Sequence, residues 1–267
     1  MRTFILLAFL AIFSVACGGG TETTDSTTEE MEAPAVVETK VTISPMPASP
    51  DFPDAAIKTM DYNNGNQFVF TIDGGKDGYE LGAQTNDAEQ KMCANSAKGQ
   101  HIHLILDNEP YVAKYEAQFD YTISEGEHYV LAFLSRSYHE SIKHAEASRV
   151  TKTTIDKTGK TTSWEPVTEP MLFYSRPKGT YTGKDTENLM LDFYLANVTL
   201  GDDYKVKAEV AGETFMIDTW QPYFLKGMPM GEHTVTLTLV DAEGKTVDTP
   251  LNPVSRTITL AEDKAEE

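Results

Sequence analysis

His101 and His103, separated by one residue, lie in an otherwise apolar run that is typical of a β-strand. Because side chains alternate along a strand, the two imidazoles must project from the same face. The flanking loops supply further candidate ligands, Cys93 or Met92 before the run and His139 or His144 after it. Imidazole together with a thiolate or thioether suits Zn(II) or a copper ion. The sequence therefore predicts a copper or zinc site formed by His101, His103, Cys93 and His139.

The elements that must position these residues occur twice along the chain. Gly126-Glu127-His128 with its following apolar strand recurs as Gly231-Glu232-His233, and Ser148-Arg149 recurs as Ser255-Arg256. Features that both copies share are expected to define the fold, and features of one copy alone are candidates for function. Alternating strands separated by short turns favour an all-β fold of two tandem immunoglobulin-like antiparallel β-sandwich domains. Since His128 has a counterpart in His233, we expect it to be structural.

The N-terminus resembles a bacterial lipoprotein signal: Arg2, an apolar run, and small residues before Cys17. The stretch that follows is rich in Gly, Thr, Ser and acidic residues, which is typical of a flexible tether. We predict a signal peptide at 1–16, a disordered acidic tether at 17–40, domain 1 at 41–155, a linker at 156–169, domain 2 at 170–262 and an acidic tail at 263–267. The resemblance implies lipidation of Cys17 and attachment to the outer membrane, facing the periplasm or the cell surface.

A comparison of the two copies identifies a surface that only the first copy has. Lys205 and Lys207 of the second copy align with His101 and His103, and three outward threonines of its late strand align with apolar residues. An apolar surface of this kind is normally covered, by a ligand, a partner protein, the second domain or the insertions of its own copy. The predicted binding surface consists of Tyr129, Leu131, Phe133, Arg136 and Tyr138.

Two alternative functions remain open from the residues alone. The segment from Ser135 to His139 resembles the Ser-Arg-x-His loop of forkhead-associated domains, which would imply phosphopeptide binding. A structural or adhesion module with no small ligand is the other alternative. The sequence carries no nucleophile elbow, Walker loop or dinucleotide fingerprint, so we expect no enzymatic activity.

The charge of the chain restricts its partners. A formal net charge of −19 disfavours nucleic acid, whose phosphates would be repelled. We expect the membrane to be contacted through lipidated Cys17, and another envelope protein is a candidate partner. Cys93 is the only other cysteine, so with Cys17 lipidated no intramolecular disulfide is expected.

Four longer motifs resemble a family of uncharacterised Bacteroidota lipoproteins whose members often carry the label "phosphopeptide-binding protein". The motifs span residues 99–104 (GQHIHL), 108–111 (NEPY), 132–141 (AFLSRSYHES) and 174–179 (YSRPKG). A wider set of periplasmic domains is similar in a looser Gly-x-His-x-His-Leu pattern. The resemblance implies an envelope location and supplies no demonstrated activity.

Overall fold

The computed structural model describes residues 40–49, 51–63, 65–91 and 93–263. The expected signal peptide, Cys17, nearly all of the expected tether, Met92 and most of the expected acidic tail lie outside these ranges. Three short 3-10 helices occur within them, at Ala88–Lys91, Ala145–Ala147 and Gly183–Thr186. No helix in the described ranges is long and apolar enough to cross a membrane.

The described residues otherwise fold as β-strands. In chain order these are β1 (Thr42–Pro45), β2 (Ala56–Asn63), β3 (Gln67–Asp73), β4 (His101–Leu106), β5 (Val112–Lys114), β6 (Gln118–Asp120), β7 (Gly126–Ser135), β8 (Ser148–Ile155), β9 (Thr161–Pro166), β10 (Met171–Arg176), β11 (Gly179–Thr182), β12 (Leu189–Ala196), β13 (Tyr204–Val210), β14 (Glu213–Ile217), β15 (Tyr223–Lys226), β16 (Gly231–Asp241) and β17 (Val254–Ala261).

Four sheets pair into two sandwiches. The first sandwich combines a three-stranded sheet, β2-β3-β6, with a five-stranded sheet of order β5-β4-β7-β8-β9, which we call the His sheet. The second combines a four-stranded sheet of order β1-β15-β12-β10, which we call the facing sheet, with a five-stranded sheet of order β11-β17-β16-β13-β14. The predicted all-β fold of two tandem sandwiches is confirmed.

The internal duplication is visible in the strand order. β5-β4-β7-β8 of the His sheet corresponds to β14-β13-β16-β17 in the second sandwich, with the same antiparallel neighbours. The repeated Gly-Glu-His turns begin the equivalent strands β7 and β16. Whatever differs between these two sheets is therefore a property of one copy and not of the fold.

The second sandwich covers the outer face of the His sheet. Within the first sandwich, Ile102 and Leu104 belong to the core shared with the three-stranded sheet. The residues that alternate with the core positions along β4 and β7 face the other way. There, Ile105, Leu131 and Phe133 join residues of the facing sheet in a separate apolar cluster. The facing sheet contributes Met171, Phe173, Tyr194 and Ala196 to that cluster. The apolar surface that distinguishes the first copy is thus the contact between the two sandwiches.

Strands β10 and β12 are buried on both faces because they lie between two layers. Every residue of Met171–Arg176 and of Leu189–Ala196 is buried. One side of each strand packs into the core of the second sandwich and the other side against the His sheet. Such strands have nearly continuous apolar sequences, because neither face meets solvent.

The first strand does not belong to the first sandwich, in which our predicted domain 1 placed it. β1 pairs antiparallel with β15 at the edge of the facing sheet, with Ile43 opposite Leu225. Val41, next to it, is buried in the core of the second sandwich. The pairing satisfies backbone groups that the edge of β15 would otherwise leave without hydrogen bonds. The first strand of the chain therefore belongs to the second sandwich, and the strands of the first sandwich follow it.

The segment predicted as a linker also contains a strand. β9 pairs with β8 and forms the edge of the His sheet. The turn between the two strands is closed at Asp156, whose carboxylate accepts hydrogen bonds from the backbone N–H groups of Thr158 and Lys160 at 2.8 and 3.0 Å. The polar run that resembles a linker in the sequence is therefore a hairpin turn, and the connection between the sandwiches is the short stretch after Pro166.

The contact between the sandwiches should carry much of the stability. Phe173→Ala removes a fully buried ring from it, and we expect the free energy of unfolding to fall by about 3–5 kcal/mol. Met216→Ala, at a site that is 49 % exposed on β14, should change it by less than about 0.5 kcal/mol. Urea denaturation of both variants measures the difference, and equal effects would contradict the assigned contact.

Candidate metal site

Strand β4 places His101 and His103 on the face of the His sheet that meets the second sandwich. Ile102 lies between them and points into the core of the first sandwich. Both histidine side chains are fully buried. Their counterparts in the second copy, Lys205 and Lys207, are only partly buried, because no further sheet of the described residues covers them. The same strand position is therefore solvated in one copy and dry in the other.

His139 joins the pair from the loop that follows β7. The loop is tight, because the backbone N–H of His139 donates to the Arg136 carbonyl and that of Arg136 donates to the Glu140 carbonyl, both at 2.9 Å. His139 itself has a φ of 71°, in the left-handed region that L-residues other than glycine seldom occupy. Backbone strain of this kind often accompanies a functional role, and here it directs the imidazole toward β4.

The three imidazoles converge on one point. Nε2 of His101 lies 2.8 Å from Nε2 of His103 and 3.1 Å from Nδ1 of His139. One ligand nitrogen from each residue lies within 4.8 Å of the other two. Among the described residues, no carboxylate or thiolate joins this group. The cluster is therefore a set of three nitrogen donors.

Two partners set the orientation of the strand histidines. Nδ1 of His101 lies 2.8 Å from the Gly99 carbonyl, which can only accept, so Nδ1 carries the proton and Nε2 presents its lone pair to the centre. Nδ1 of His103 lies 3.3 Å from the Ser175 hydroxyl, which can donate or accept. A hydroxyl partner allows His103 to place its own proton on either nitrogen. Ser175 comes from β10, so the second sandwich helps to build the site.

Burial keeps the imidazoles uncharged. Desolvation lowers the pKa of His101 to about 4, with further lowering from the nearby cations Arg176 and Lys178 and an opposing effect from the Gly99 carbonyl. Desolvation also lowers the pKa of His103 and of His139 well below the usual range. Neutral imidazoles have free lone pairs at pH 7, which is the state that binds a metal ion.

Tyr111 and Arg176 close the remaining side of the cluster. The Tyr111 ring stacks on His103 with ring centroids 3.6 Å apart, and its hydroxyl lies 3.3 Å from Nδ1 of His139. Nε and Nη2 of Arg176 both donate to that hydroxyl, at 3.1 and 2.8 Å. The sequence prediction did not include Tyr111, Ser175 or Arg176 as site residues. Their signal was present in the motifs Asn108–Tyr111 and Tyr174–Gly179, which carried the family resemblance.

The turn after β4 holds Tyr111 in place through Asn108. The Asn108 side chain donates to the Leu172 carbonyl and accepts from the backbone N–H of Tyr174, both at 2.8 Å. It thus continues the hydrogen bonding of β10 across the contact between the sandwiches. Asn108 has a φ of 61°, a conformation that Asn tolerates better than most residues. The position of Tyr111 relative to the histidines therefore depends on both sandwiches.

Cys93 is not part of the cluster, contrary to the predicted ligand set. It packs beside a small apolar group formed by Met46, Tyr138, Met190 and Phe224. Burial raises the pKa of its thiol to about 12, which disfavours the thiolate that a metal would bind. The inserted loop carries Cys93 toward the second sandwich, and this path could not be derived from its distance to His101 along the chain.

His144, the alternative loop ligand, also lies outside the cluster. Its backbone carbonyl accepts a hydrogen bond from the Tyr194 hydroxyl at 3.0 Å. The separate structural role expected for His128 fits its contacts, because Nδ1 lies 2.6 Å from the Asp107 carboxylate and Nε2 lies 3.0 Å from the Ser124 carbonyl.

Arg136 and Tyr138 do not form a binding surface. The Arg136 guanidinium is buried, donates to the carbonyls of Ser49 and Asp51 and lies 3.8 Å from the Glu140 carboxylate. Tyr138 is fully buried in the apolar group that contains Met46. Because the arginine is occupied by the protein itself, the loop from Ser135 to His139 is not arranged to bind a phosphate.

The remaining residues of the predicted binding surface are covered or partly covered. Leu131 and Phe133 are fully buried in the contact between the sandwiches, where Phe133 stacks on Tyr194 with ring centroids 5.0 Å apart. Tyr129 is partly buried at the edge of this contact, and the Lys152 ammonium lies 5.6 Å from its ring centroid. Of the covers considered for this surface, the second domain is the one observed.

Comparison with models of known protein families finds no match, and comparison with curated proteins finds no relative. Solved structures give distant likenesses. A fibronectin(III)-like module of CbhA from Clostridium thermocellum covers 35% of this chain and is itself covered fully (100%), at 18% identity and a TM-score of 0.28. The central fibronectin-III array of RIM-binding protein covers 79% of this chain over 71% of its own length, at 8% identity and a TM-score of 0.26.

A third likeness is to SGBP-B of the mixed-linkage glucan utilization locus of Bacteroides ovatus, whose structure is in complex with a heptasaccharide. It covers 84% of this chain and 70% of its own chain, at 9% identity and a TM-score of 0.24. The assignment of the fold rests on the sheet order given above and not on these superpositions. The resemblance to the Bacteroidota lipoprotein family stays a prediction.

The depressed pKa of His101 predicts a pH-dependent stability for the metal-free protein. In the unfolded chain the imidazole titrates near its usual pKa of about 6.5, so between that value and about 4 the unfolded state binds the extra proton. Stability should therefore fall as the pH drops from 6.5 to 4. From pH 7 to pH 5 we expect a loss of roughly 2 kcal/mol from His101 alone.

Urea unfolding at the two pH values, with a chelator present, measures this loss. His101→Gln lacks the titrating group and should lose less stability than the wild type over the same interval. An identical loss in both proteins would show that the imidazole does not titrate as its burial requires.

Proposed function

We propose that this protein is a non-enzymatic lipoprotein of the cell envelope, attached to the outer membrane through Cys17, that binds a copper or zinc ion at His101, His103 and His139. The observation that supports the metal site is the convergence of three uncharged imidazoles, two fully buried and the third half-buried, with one nitrogen of each within 4.8 Å of the others.

Two of the three separations between the nitrogens are close to what a tetrahedral ion requires, and all three lie within 4.8 Å. With metal–nitrogen bonds of about 2.0–2.1 Å, two nitrogen ligands lie roughly 3.3 Å apart. The present separations from Nε2 of His101, 2.8 and 3.1 Å, need to increase by only a few tenths of an ångström. The Gly99 carbonyl already fixes the tautomer of His101 that a metal needs, and outer partners of this kind commonly orient metal-binding histidines.

The charges around the site favour Cu(I) over a divalent ion in a site formed by the three histidines alone. Imidazole binds both copper and zinc, so the nature of the donors does not separate them. The three donors are neutral, however, and the Arg176 guanidinium is one hydroxyl away from His139. A buried cation without a negative partner is costly, and the cost grows with its charge.

A binding role is supported over catalysis by the position of the open space. Cavities of about 740, 540 and 530 Å³ open at the protein surface, and none of them is lined by His101, His103 or His139. Half-buried His139 is the most exposed member of the cluster. An ion can be held at such a site, whereas a catalytic metal keeps an open position for its substrate.

A structural or adhesion module with no ligand is the second candidate, and one observation favours it. The apolar surface of the first copy is buried against the second sandwich, so Leu131 and Phe133 have a complete structural explanation. That explanation does not extend to three adjacent imidazoles, since apolar side chains would fill the same space without polar groups to satisfy. Metal binding therefore decides between the two candidates.

Titration with Cu(I), Cu(II) and Zn(II) of protein purified without an affinity tag tests the proposal. We expect one ion per chain, and loss of binding in the double variant with His101→Ala and His103→Ala. His233→Ala removes an imidazole that is bonded to the Pro229 carbonyl at the surface of the second sandwich, and it should bind like the wild type. Equal affinity in all three proteins, or no binding in any, would leave the structural module as the function.

Ser175→Ala tests whether the second sandwich contributes to the site. The variant removes the hydroxyl that meets Nδ1 of His103, and outer partners of metal ligands typically account for about 10- to 100-fold in affinity. We expect a decrease in metal affinity of that size with little change in stability. Competition with a chromophoric chelator measures it, and an unchanged affinity would remove Ser175 from the site.

A further inference from the structure

Tyr111 is placed as the metal ligands are, although no metal-binding pattern in the sequence includes it. Its side chain is 2 % exposed and its ring lies nearly parallel to that of His103, at 10°. The hydroxyl oxygen lies 3.3 Å from Nδ1 of His139, the same nitrogen that lies 3.1 Å from Nε2 of His101. The Tyr111 oxygen therefore lies beside the His139 nitrogen that faces His101.

Arg176 lacks the negative partner that a buried guanidinium normally has. Its side chain is buried and, among the described residues, it forms no salt bridge. Instead it donates two hydrogen bonds to the Tyr111 hydroxyl and one, at 3.2 Å, to the Tyr181 hydroxyl. Buried charges are usually paired, so the position of the missing anion is occupied by the oxygen of a phenol.

A second cation lies against the same tyrosine. The Lys178 ammonium is 3.8 Å from the centroid of the Tyr111 ring and donates to the Tyr111 backbone carbonyl at 2.8 Å. Tyr111 is thus held between two positive side chains and the histidine cluster. Burial raises the pKa of Tyr111 to about 12 and the Arg176 guanidinium opposes that effect, so a phenolate at this position requires the charge of a bound ion in addition to these two cations.

We propose that the Tyr111 oxygen is the fourth ligand when the site holds a divalent ion, giving a site of three histidines and one tyrosinate. As the oxygen–metal bond forms, the phenol O–H bond breaks and its proton leaves to water, so the electron pair stays on the oxygen. The phenolate then offsets one of the two positive charges of the ion, and its oxygen keeps the hydrogen bonds that Arg176 donates to it. This inference rests on the proposed metal-binding function and specifies how the site distinguishes ions.

As a consequence, the Tyr111 hydroxyl should affect the affinity of the site for divalent ions and not its affinity for monovalent ions. Cu(I) adds a single charge and is bound by the three neutral imidazoles, with Tyr111 remaining a phenol. Cu(II) or Zn(II) adds a second charge, which the phenolate offsets. Removal of the hydroxyl should therefore weaken the binding of divalent ions and leave Cu(I) binding nearly unchanged.

Tyr111→Phe is the variant that tests this, because it keeps the ring stacked on His103 and removes only the oxygen. With Cu(II), the wild-type protein should show a phenolate-to-copper charge-transfer band in the visible spectrum, and the variant should lack it. The affinity for Cu(II) should fall by about 10-fold or more, and that for Cu(I) should change by less than about 3-fold.

Two other tyrosines provide matched controls. Tyr181→Phe removes a hydroxyl that is bonded to the same Arg176 guanidinium. Tyr115→Phe alters a ring whose centroid lies 5.0 Å from that of His101, but whose hydroxyl is bonded to Ser96. Both variants should keep the charge-transfer band and the wild-type affinity for Cu(II).

A measurement on the unmodified protein avoids any dependence on the folding of the variants. Resonance Raman spectra of the Cu(II)-loaded wild type, excited within the visible band, should contain tyrosinate ring modes. Their absence, or a band that persists in Tyr111→Phe, overturns the assignment of the fourth ligand. Loss of Cu(I) and Cu(II) affinity to the same extent overturns it too, while failure of the wild type to bind either ion overturns the metal-binding function itself.

Discussion

The packing of the His sheet against the facing sheet is the constraint on which the site depends. This contact removes His101 and His103 from solvent completely, and the resulting desolvation keeps their imidazoles neutral. It also brings Ser175 and Arg176 of the second sandwich beside residues of the first. On an isolated first sandwich the same histidines would be exposed to solvent and would titrate near their usual pKa. They would also lack these partners. The packing of the two sandwiches therefore determines both the neutral state of the histidines and the partners that surround them.

The balance of charge explains why the cluster differs from ordinary buried histidines. A single core histidine is satisfied by one or two hydrogen bonds, but here three imidazoles meet around one lone pair of His101. The Arg176 guanidinium lies beside the cluster and has phenols where a carboxylate would be expected. A site of this composition is incomplete in negative charge. A monovalent ion with neutral ligands, and a divalent ion with a phenolate, would each add a net charge of only +1 to such a site, whereas a divalent ion with neutral ligands would add +2.

Much of the fold could be predicted from the sequence because its pattern is local. The repeated Gly-Glu-His turn and the alternation in β4 and β7 identified equivalent strands, and the comparison of His101 and His103 with two lysines identified the unusual face. The limits arise where pairing is distant or where a turn resembles a linker. β1 pairs with β15 across most of the chain, and the polar turn at Asp156 conceals β9. Neither register is encoded within a short window of residues.

The sequence by itself determined that two sandwiches form, that His101 and His103 share an outward face, and that His139 follows in a neighbouring loop. These properties depend on the period of a strand and on the order of elements, both of which are readable along the chain. Only the tertiary structure decided that Cys93 lies elsewhere, that Arg136 is occupied by backbone carbonyls, and that Tyr111 and Arg176 complete the cluster. The physical reason is that burial and ligand geometry arise from surfaces distant in sequence, and two layers must pack together before either is defined.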